Sequence, residues 1–244
     1  MLDALIASLI AGLATGIGAL ILLAFKHIPM RVFDTMIGFS AGVMTSASIF
    51  SLIIPGIETG GLWPVIGGFV VGALVVFAFD MRLPELFQKA GQPPPSKFVH
   101  QGFLMAGTIA LHNIPEGFAV GAGYASGQPG LGLILAIAIG LQNIPEGTAV
   151  AAPLVAGGIQ RRKSVLLATA SGLMEPIAAV AGFMLIQYIG GILPFALGLA
   201  AGAMLYAVSH DLLPESHSHG FELNATFSFL FGFLLMLVLH YTLG

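Results

Sequence analysis

Two copies of one pentapeptide, Asn113-Ile114-Pro115-Glu116-Gly117 and Asn143-Ile144-Pro145-Glu146-Gly147, lie thirty positions apart in this chain. His112 precedes Glu116 by four residues and Gln142 precedes Glu146 by four, a spacing that puts each pair on one helix face, a turn apart. Asn113 and Asn143, three residues before the same glutamates, fall on nearly the same face. A third carboxylate, Glu175, is followed by Pro176. Imidazole with carboxylates and amide oxygens suits zinc, iron(II), manganese, cobalt or cadmium, whereas copper(I) wants thiolates or several thioethers. An all-oxygen calcium or magnesium site would not need His112. The chain has no cysteine, which excludes thiolate ligands, disulfides and a cysteine nucleophile.

The elements that carry these donors are membrane-spanning. Hydrophobic residues make up 57% of the chain and charged residues only 8%, against roughly 25% charge in soluble domains. A helical span needs about 20 apolar residues, and eight are read, at 3–25, 35–55, 62–79, 101–124, 131–155, 164–187, 194–212 and 223–243. The expected fold is therefore an all-α integral membrane protein, residues 1–244 forming one eight-helix unit. Turn-forming runs near 56–61, at 126–130 and at 190–194 separate spans. All eight Lys and Arg residues (Lys26, Arg31, Arg82, Lys89, Lys97, Arg161, Arg162 and Lys163) fall between an odd span and the next even one. The positive-inside rule then puts those loops in the cytoplasm and both termini outside. The 80–100 loop, with Pro93, Pro94 and Pro95, reads as a stiff connector. No basic stretch suggests nucleic acid, and the run from Ala4 to Phe25 is long enough to span and lacks the basic lead of a removable signal.

Glu116, Glu146 and Glu175 lie well inside spans with no Lys or Arg at their depth. A charge at a helix centre costs about 2.5–3.5 kcal/mol on insertion scales, so these groups must be protonated, hydrated or neutralised by a cation. A cation site answers this most directly. One intramembrane Glu can be a protonated structural residue and one His is commonly structural; three carboxylates with a duplicated motif favour function. Pro115, Pro145 and Pro176 each remove a helical N–H and press on a carbonyl four residues back, exposing backbone oxygen as at the midplane sites of secondary transporters. Amides in place of further carboxylates weaken the hold, as release of an ion requires.

At these residues the sequence resembles the ZIP (Zrt/Irt-like protein) family of divalent metal transporters, on His112-Asn113-Ile114-Pro115-Glu116-Gly117, Gln142-Asn143-Ile144-Pro145-Glu146-Gly147 and Glu175-Pro176. Gln142 in place of His is similar to the bacterial GufA-like branch. The resemblance implies a binuclear metal site among helices 4, 5 and 6 near the bilayer midplane. Its first position would use His112, Glu116, Gln142 and Glu146, with Met44 as a soft contact. Its second would use Asn113, Asn143 and Glu175, with Glu116 and Glu146 bridging. Asn143 stands where some relatives carry Asp, which removes one negative charge from the second position.

Peripheral groups extend a transport path. Glu58 and Ser51 stand at the outer side, and Asp80 at the inner end of span 3, where it either lines an exit or faces Arg82. Ser209-His210-Asp211, with Glu215, His217 and His219 beyond, is similar to the family's metal exit region, the last three also reading as a solvated polar loop. The expectation is a non-enzymatic carrier of zinc, or of cadmium, iron, manganese or cobalt, from outside into the cytoplasm by alternating access. It would sit in a plasma membrane, most simply a bacterial inner membrane, bind its metal as substrate and not as cofactor, and admit a homodimer. The rival readings are an intramembrane metalloenzyme, disfavoured by the lack of a His-Glu-x-x-His run, and a proton-coupled carrier of an organic solute.

Overall fold

A computed structural model describes residues 1–25, 28–89, 97–189 and 191–243. Lys26 and the Pro93–Pro95 connector lie outside them. Every regular element among the described residues is helical, and eight rods follow the chain. These are α1 (Leu2–Ala24), α2 (Met30–Gly60), α3 (Leu62–Lys89), α4 (Lys97–Ala125), α5 (Leu131–Ala156), α6 (Arg161–Tyr188), α7 (Leu193–Ser216) and α8 (Glu222–Leu243). All but α4 meet the length and hydropathy of a bilayer span. α4 is as long, with 29 residues, and carries His100, His112, Asn113 and Glu116.

The helices run further than the apolar spans suggest. α3 and α4 extend to Lys89 and from Lys97, so most of the expected 80–100 loop is helix. The expected turn at 56–61 is helical up to Gly60, and the chain reverses at Gly61, whose φ of 85° favours glycine. Hydropathy marks the lipid-crossing part of a helix, whereas the hydrogen-bond ladder continues into its polar ends. The described basic side chains therefore sit toward helix ends: Arg31 in the first turn of α2, Arg161, Arg162 and Lys163 in the first turn of α6, and Arg82 late in α3. All mark one end of the bundle, where Arg161 Nη1 donates to the Leu23 carbonyl at 3.1 Å.

Packing divides the rods into two groups. α1, α4, α5 and α6 form one through the pairs α1–α5, α4–α6 and α4–α5; α2, α3, α7 and α8 form the other through α3–α7 and α2–α8. Close approach depends on glycine, as expected where lipid supplies no hydrophobic drive. A Cβ on Gly147 would overlap the Thr15 carbonyl, and one on Gly117 would fall 2.6 Å from Glu175 Cα. In the second group a Cβ on Gly42 would overlap the Phe229 carbonyl and one on Gly72 the Leu199 carbonyl. Every described glycine that meets a neighbour meets one from its own group. Across the divide apolar side chains also meet, as where Val43, Ala47 and Met236 pack on Ile134 and Ala138.

Three helices are interrupted. α2 contains a π-helical stretch at Ala47–Ile53, α7 one at Val208–Leu212, and α6 breaks at Leu173 between Arg161–Gly172 and Met174–Tyr188. Each π stretch ends two residues before a proline, Pro55 or Pro214. Proline has no N–H to give the carbonyl four residues back, so the ladder upstream shifts to longer bonds. α4 and α5, by contrast, continue through Pro115 and Pro145.

Candidate metal centre

The glycine that ends each pentapeptide explains how the centre is assembled. Gly117 lets α4 lie against the backbone of α6 at Glu175, and Gly147 lets α5 lie against α1 at Thr15. The side chains one residue earlier are thereby brought into one volume. Glu116, Glu146, Glu175, Asn113, Asn143, Gln142 and His112 are all buried, and the three carboxylates lie within electrostatic reach of one another.

Their hydrogen bonds use the donors and leave acceptors free. Gln142 Nε2 donates to Glu116 Oε1, and Asn143 Nδ2 donates both to the Ala11 carbonyl at 2.8 Å and to Glu175 Oε1. Asn113 Nδ2 donates to the Ser171 carbonyl at 2.9 Å, beside the break in α6. Ser40 of α2 reaches from the other group and donates to Glu146 Oε1 at 2.8 Å. Six buried oxygens then have no partner: Oδ1 of Asn113 and Asn143, Oε1 of Gln142, and Oε2 of Glu116, Glu146 and Glu175. Each such group costs about 1–3 kcal/mol, more when charged. The donor set is the one sequence spacing predicts, and it fits a hard or borderline divalent cation.

His112 sits at the edge of this set. It lies within electrostatic reach of Glu146, while its Nε2 stands 3.2 Å from Asp211 Oδ2. With Asp80 the two form a trio whose ligand atoms all lie within 4.8 Å of one another. Tyr206 also engages the Asp80 carboxylate. His112 and Asp211 of the trio border a cavity of about 620 Å³ that His100, Thr108, His210 and Glu215 also line. Those residues lie toward the basic end of the bundle. His210 is exposed there, its ring 5.2 Å from that of Tyr206. The π stretch in α7 presents His210 and Asp211 together, one to the cavity wall and one toward His112.

Glu58 is exposed near the end of α2, and Ser51, on the π stretch, is buried with its hydroxyl 3.1 Å from His240 Nδ1. Both converge on His240 of α8, which sequence reading does not single out and which also lies within reach of Glu58. Met44 is buried one turn beyond Ser40. Ser40 itself escapes sequence reading: a serine in an apolar span carries no spacing signal until its partner is known. His217 and His219, both part-exposed, are hydrogen-bonded to Thr226 at 3.2 Å and Asp34 at 2.8 Å.

Fold and site define a multi-pass helical membrane protein with a cluster of carboxylates, amides and imidazole sealed between its helices. Residues 88–240 match the family described as ZIP zinc transporter. The chain is 40% identical over 243 residues to zinc transporter ZIPB of Bordetella bronchiseptica, covering 95% of this chain and 78% of that one. It is 37% identical over 250 residues to zinc transporter GufA of Myxococcus xanthus, covering 98% of each, and 37% over 262 residues to zinc transporter ZupT of Corynebacterium glutamicum, again 98% of each. The chain belongs to the ZIP family.

Proposed function

We propose that this protein carries divalent transition-metal ions, zinc first among them and cadmium, iron, manganese or cobalt as alternatives, through a cell membrane into the cytoplasm. The observation that carries the reading is the set of six unpartnered oxygens held among three buried carboxylates. A bound cation would satisfy them and offset their burial. The relatives' names, all zinc transporters, put zinc first.

The proposed site is binuclear. His112, Glu116, Gln142 and Glu146 hold the first ion, with Met44 near it; Asn113, Asn143 and Glu175 hold the second, and Glu116 and Glu146 bridge. Asn143 offers its Oδ1, since its Nδ2 is engaged by Ala11 and Glu175. His210 and Asp211 in the cavity wall, with Asp80 beside Asp211, continue the path toward the basic end, which the positive-inside rule assigns to the cytoplasm. Ser51 and Glu58 belong to the outer approach, and both termini then lie outside. A plasma membrane, in a bacterium the inner one, and a homodimer complete the proposal.

The two packing groups support alternating access. The cavity leads from His112 to the basic end, the arrangement of an inward-facing carrier, and motion of one group against the other would close it. Zinc and cadmium uptake into proteoliposomes tests the function. Wild type should take up metal saturably, and Glu116→Ala and His112→Ala should abolish it in folded protein. Unchanged uptake in both would overturn the assignment. Because metal binding needs neutral imidazole and ionised carboxylates, affinity should fall on acidification. An affinity flat from mildly acidic to neutral pH would count against this set of ligands.

A further inference from the structure

α1 and α5 touch backbone to backbone beside the second pentapeptide and pack less tightly toward the end of the bundle opposite the basic residues. At the contact a Cβ on Gly18 would overlap the Ile144 carbonyl, as one on Gly147 would overlap that of Thr15. Earlier in α5, a Cβ on Gly140 would come no nearer than 3.7 Å to Ala11 Cα, an ordinary contact. There a groove of about 540 Å³ opens along the outside of the pair, running from Ile17 and Leu141 to Asp3 and Leu133. Its floor is buried alanine, Ala11, Ala14 and Ala136, and its exposed rim carries Ile10, Ile17 and Leu133.

The outer end of the groove is polar. Asp3 and Tyr124 border it and also border a neighbouring cavity of about 420 Å³ that Gln128 lines. Tyr124 lies within electrostatic reach of Asp3, and its ring is held over Gly132, where a Cβ would collide with it. Asp3 is exposed and enters no ion pair among the described residues, and no described Lys or Arg stands at this end of the bundle.

We propose that this groove binds one phospholipid of the outer leaflet with a primary ammonium headgroup, its acyl chain lying along α1 and α5 and its ammonium on Asp3. From Asp3 to Ile17 the helix rises roughly 21 Å, which matches one leaflet's hydrocarbon, about 15 Å, together with its headgroup layer. A groove facing hydrocarbon holds no water, and a void would leave its lining without contacts, so an acyl chain is the occupant that fits. Charge selects the headgroup. An anionic phospholipid would bring its net negative charge to Asp3 with no Lys or Arg to offset it. An ammonium pairs with that carboxylate, and the Tyr124 hydroxyl is a donor for the phosphate. The groove also backs the metal centre: the carbonyl of Ala11 accepts the Asn143 Nδ2 bond, and Gly140 and Leu141 lead directly into Gln142 and Asn143. Both walls belong to the α1–α4–α5–α6 group, so the lipid travels with that group.

The inference rests on the membrane-spanning fold and not on the metal proposed for the centre. Detergent-purified protein is loaded with equal amounts of phosphatidylethanolamine and phosphatidylglycerol carrying the same acyl chains, and retained lipids are counted by mass spectrometry of the intact protein. Wild type should keep one phosphatidylethanolamine, favoured about fivefold over phosphatidylglycerol, the modest size expected of an exposed ion pair. Asp3→Lys should invert the preference with the count unchanged, which a purely structural aspartate would not do. Gly140→Leu, which fills the groove, should lose the retained lipid of either kind. Equal retention of the two lipids by wild type, or a preference that survives Asp3→Lys, overturns the proposal. So does a Gly140→Leu protein that keeps its lipid, or one that loses a second copy of the chain instead, which would make the groove a dimer interface. Should Gly140→Leu not fold, Asp3→Lys decides alone. Zinc uptake by wild type reports on transport separately, so either reading can fail alone.

Discussion

The two helix groups are built on the same packing rule and opposite chemistry. In both, glycines let backbones meet, as at Gly147 on Thr15 and Gly42 on Phe229. The α1–α4–α5–α6 group then seals three glutamates, two asparagines and a glutamine inside itself, all but Glu146 tied by bonds that stay within the group. The α2–α3–α7–α8 group is joined by apolar and aromatic contacts, such as Phe50 with Phe233 at 6.0 Å, and keeps its charges near its ends. Among the described residues the polar links between groups are few: Ser40 to Glu146 in the middle, His112 to Asp211 toward the basic end, and Gln128 to Thr59 at the other. Firm seams within groups and sparse ties between them make the boundary the place where the molecule can move.

Bridging that boundary should have the largest effect. The chain has no cysteine, so paired thiols can be introduced cleanly. Thr59→Cys with Gln128→Cys joins the groups where the side chains lie 2.9 Å apart. A short thiol-reactive cross-linker there should cut zinc uptake to below about a tenth, with recovery when a cleavable linker is reduced, as for a locked rigid-body motion. Thr35→Cys with Ser228→Cys, linked the same way inside one group, should leave most uptake intact. Equal losses from both would mean that the groups do not move as units.

Ser40→Ala should come next. A hydrogen bond to a charged group is worth about 1.5–3 kcal/mol, and each 1.4 kcal/mol is about tenfold. Losing the Ser40–Glu146 tie should therefore shift the balance away from the inward-open form roughly tenfold or more. The readout is modification of Thr108→Cys, in the wall of the inner cavity, by a membrane-impermeant thiol reagent. Labelling should slow in the Ser40→Ala background while thermal stability in detergent holds. Unchanged labelling would reduce the bond to local packing.

These ties also mark where sequence reading reaches and where it stops. Periodicity and composition locate eight spans and the central donor set, because Glu116 and Glu146, each one turn from an imidazole or amide inside an apolar span, are costly to bury unless a cation meets them. The π stretches are legible in principle from Pro55 and Pro214, but a proline after an apolar run reads first as punctuation. Ser40, His240 and the Asp34–His219 pair depend on partners 106, 189 and 185 residues away, a separation that no local pattern encodes. His112 is placed by its spacing to Glu116, whereas its approach to Asp211 comes from α7, nearly a hundred residues on.

Gln142→His sharpens the comparison from inside the polar group. The amide donates to Glu116 and leaves its own oxygen free; an imidazole nitrogen is the better zinc ligand. Cadmium affinity in binding assays should rise roughly tenfold, equal to about 1.4 kcal/mol, while maximal uptake falls because release is slower. A rise in both would separate release from the step that limits transport.

The smallest effect belongs to the position with the largest. Gln128→Ala removes the exposed bond to Thr59 without bridging anything, and exposed substitutions of this kind cost at most about 0.5 kcal/mol. Uptake should stay within about twofold of wild type, less than one factor-of-ten step, and the melting temperature should barely move. The same pair that stops transport when covalently joined should thus be nearly silent when cut. That contrast assigns the effect of the bridge to immobilised groups and not to the energy of the bond it replaces. A large loss from Gln128→Ala would instead make the tie itself part of the transport cycle and the boundary less free than its packing indicates.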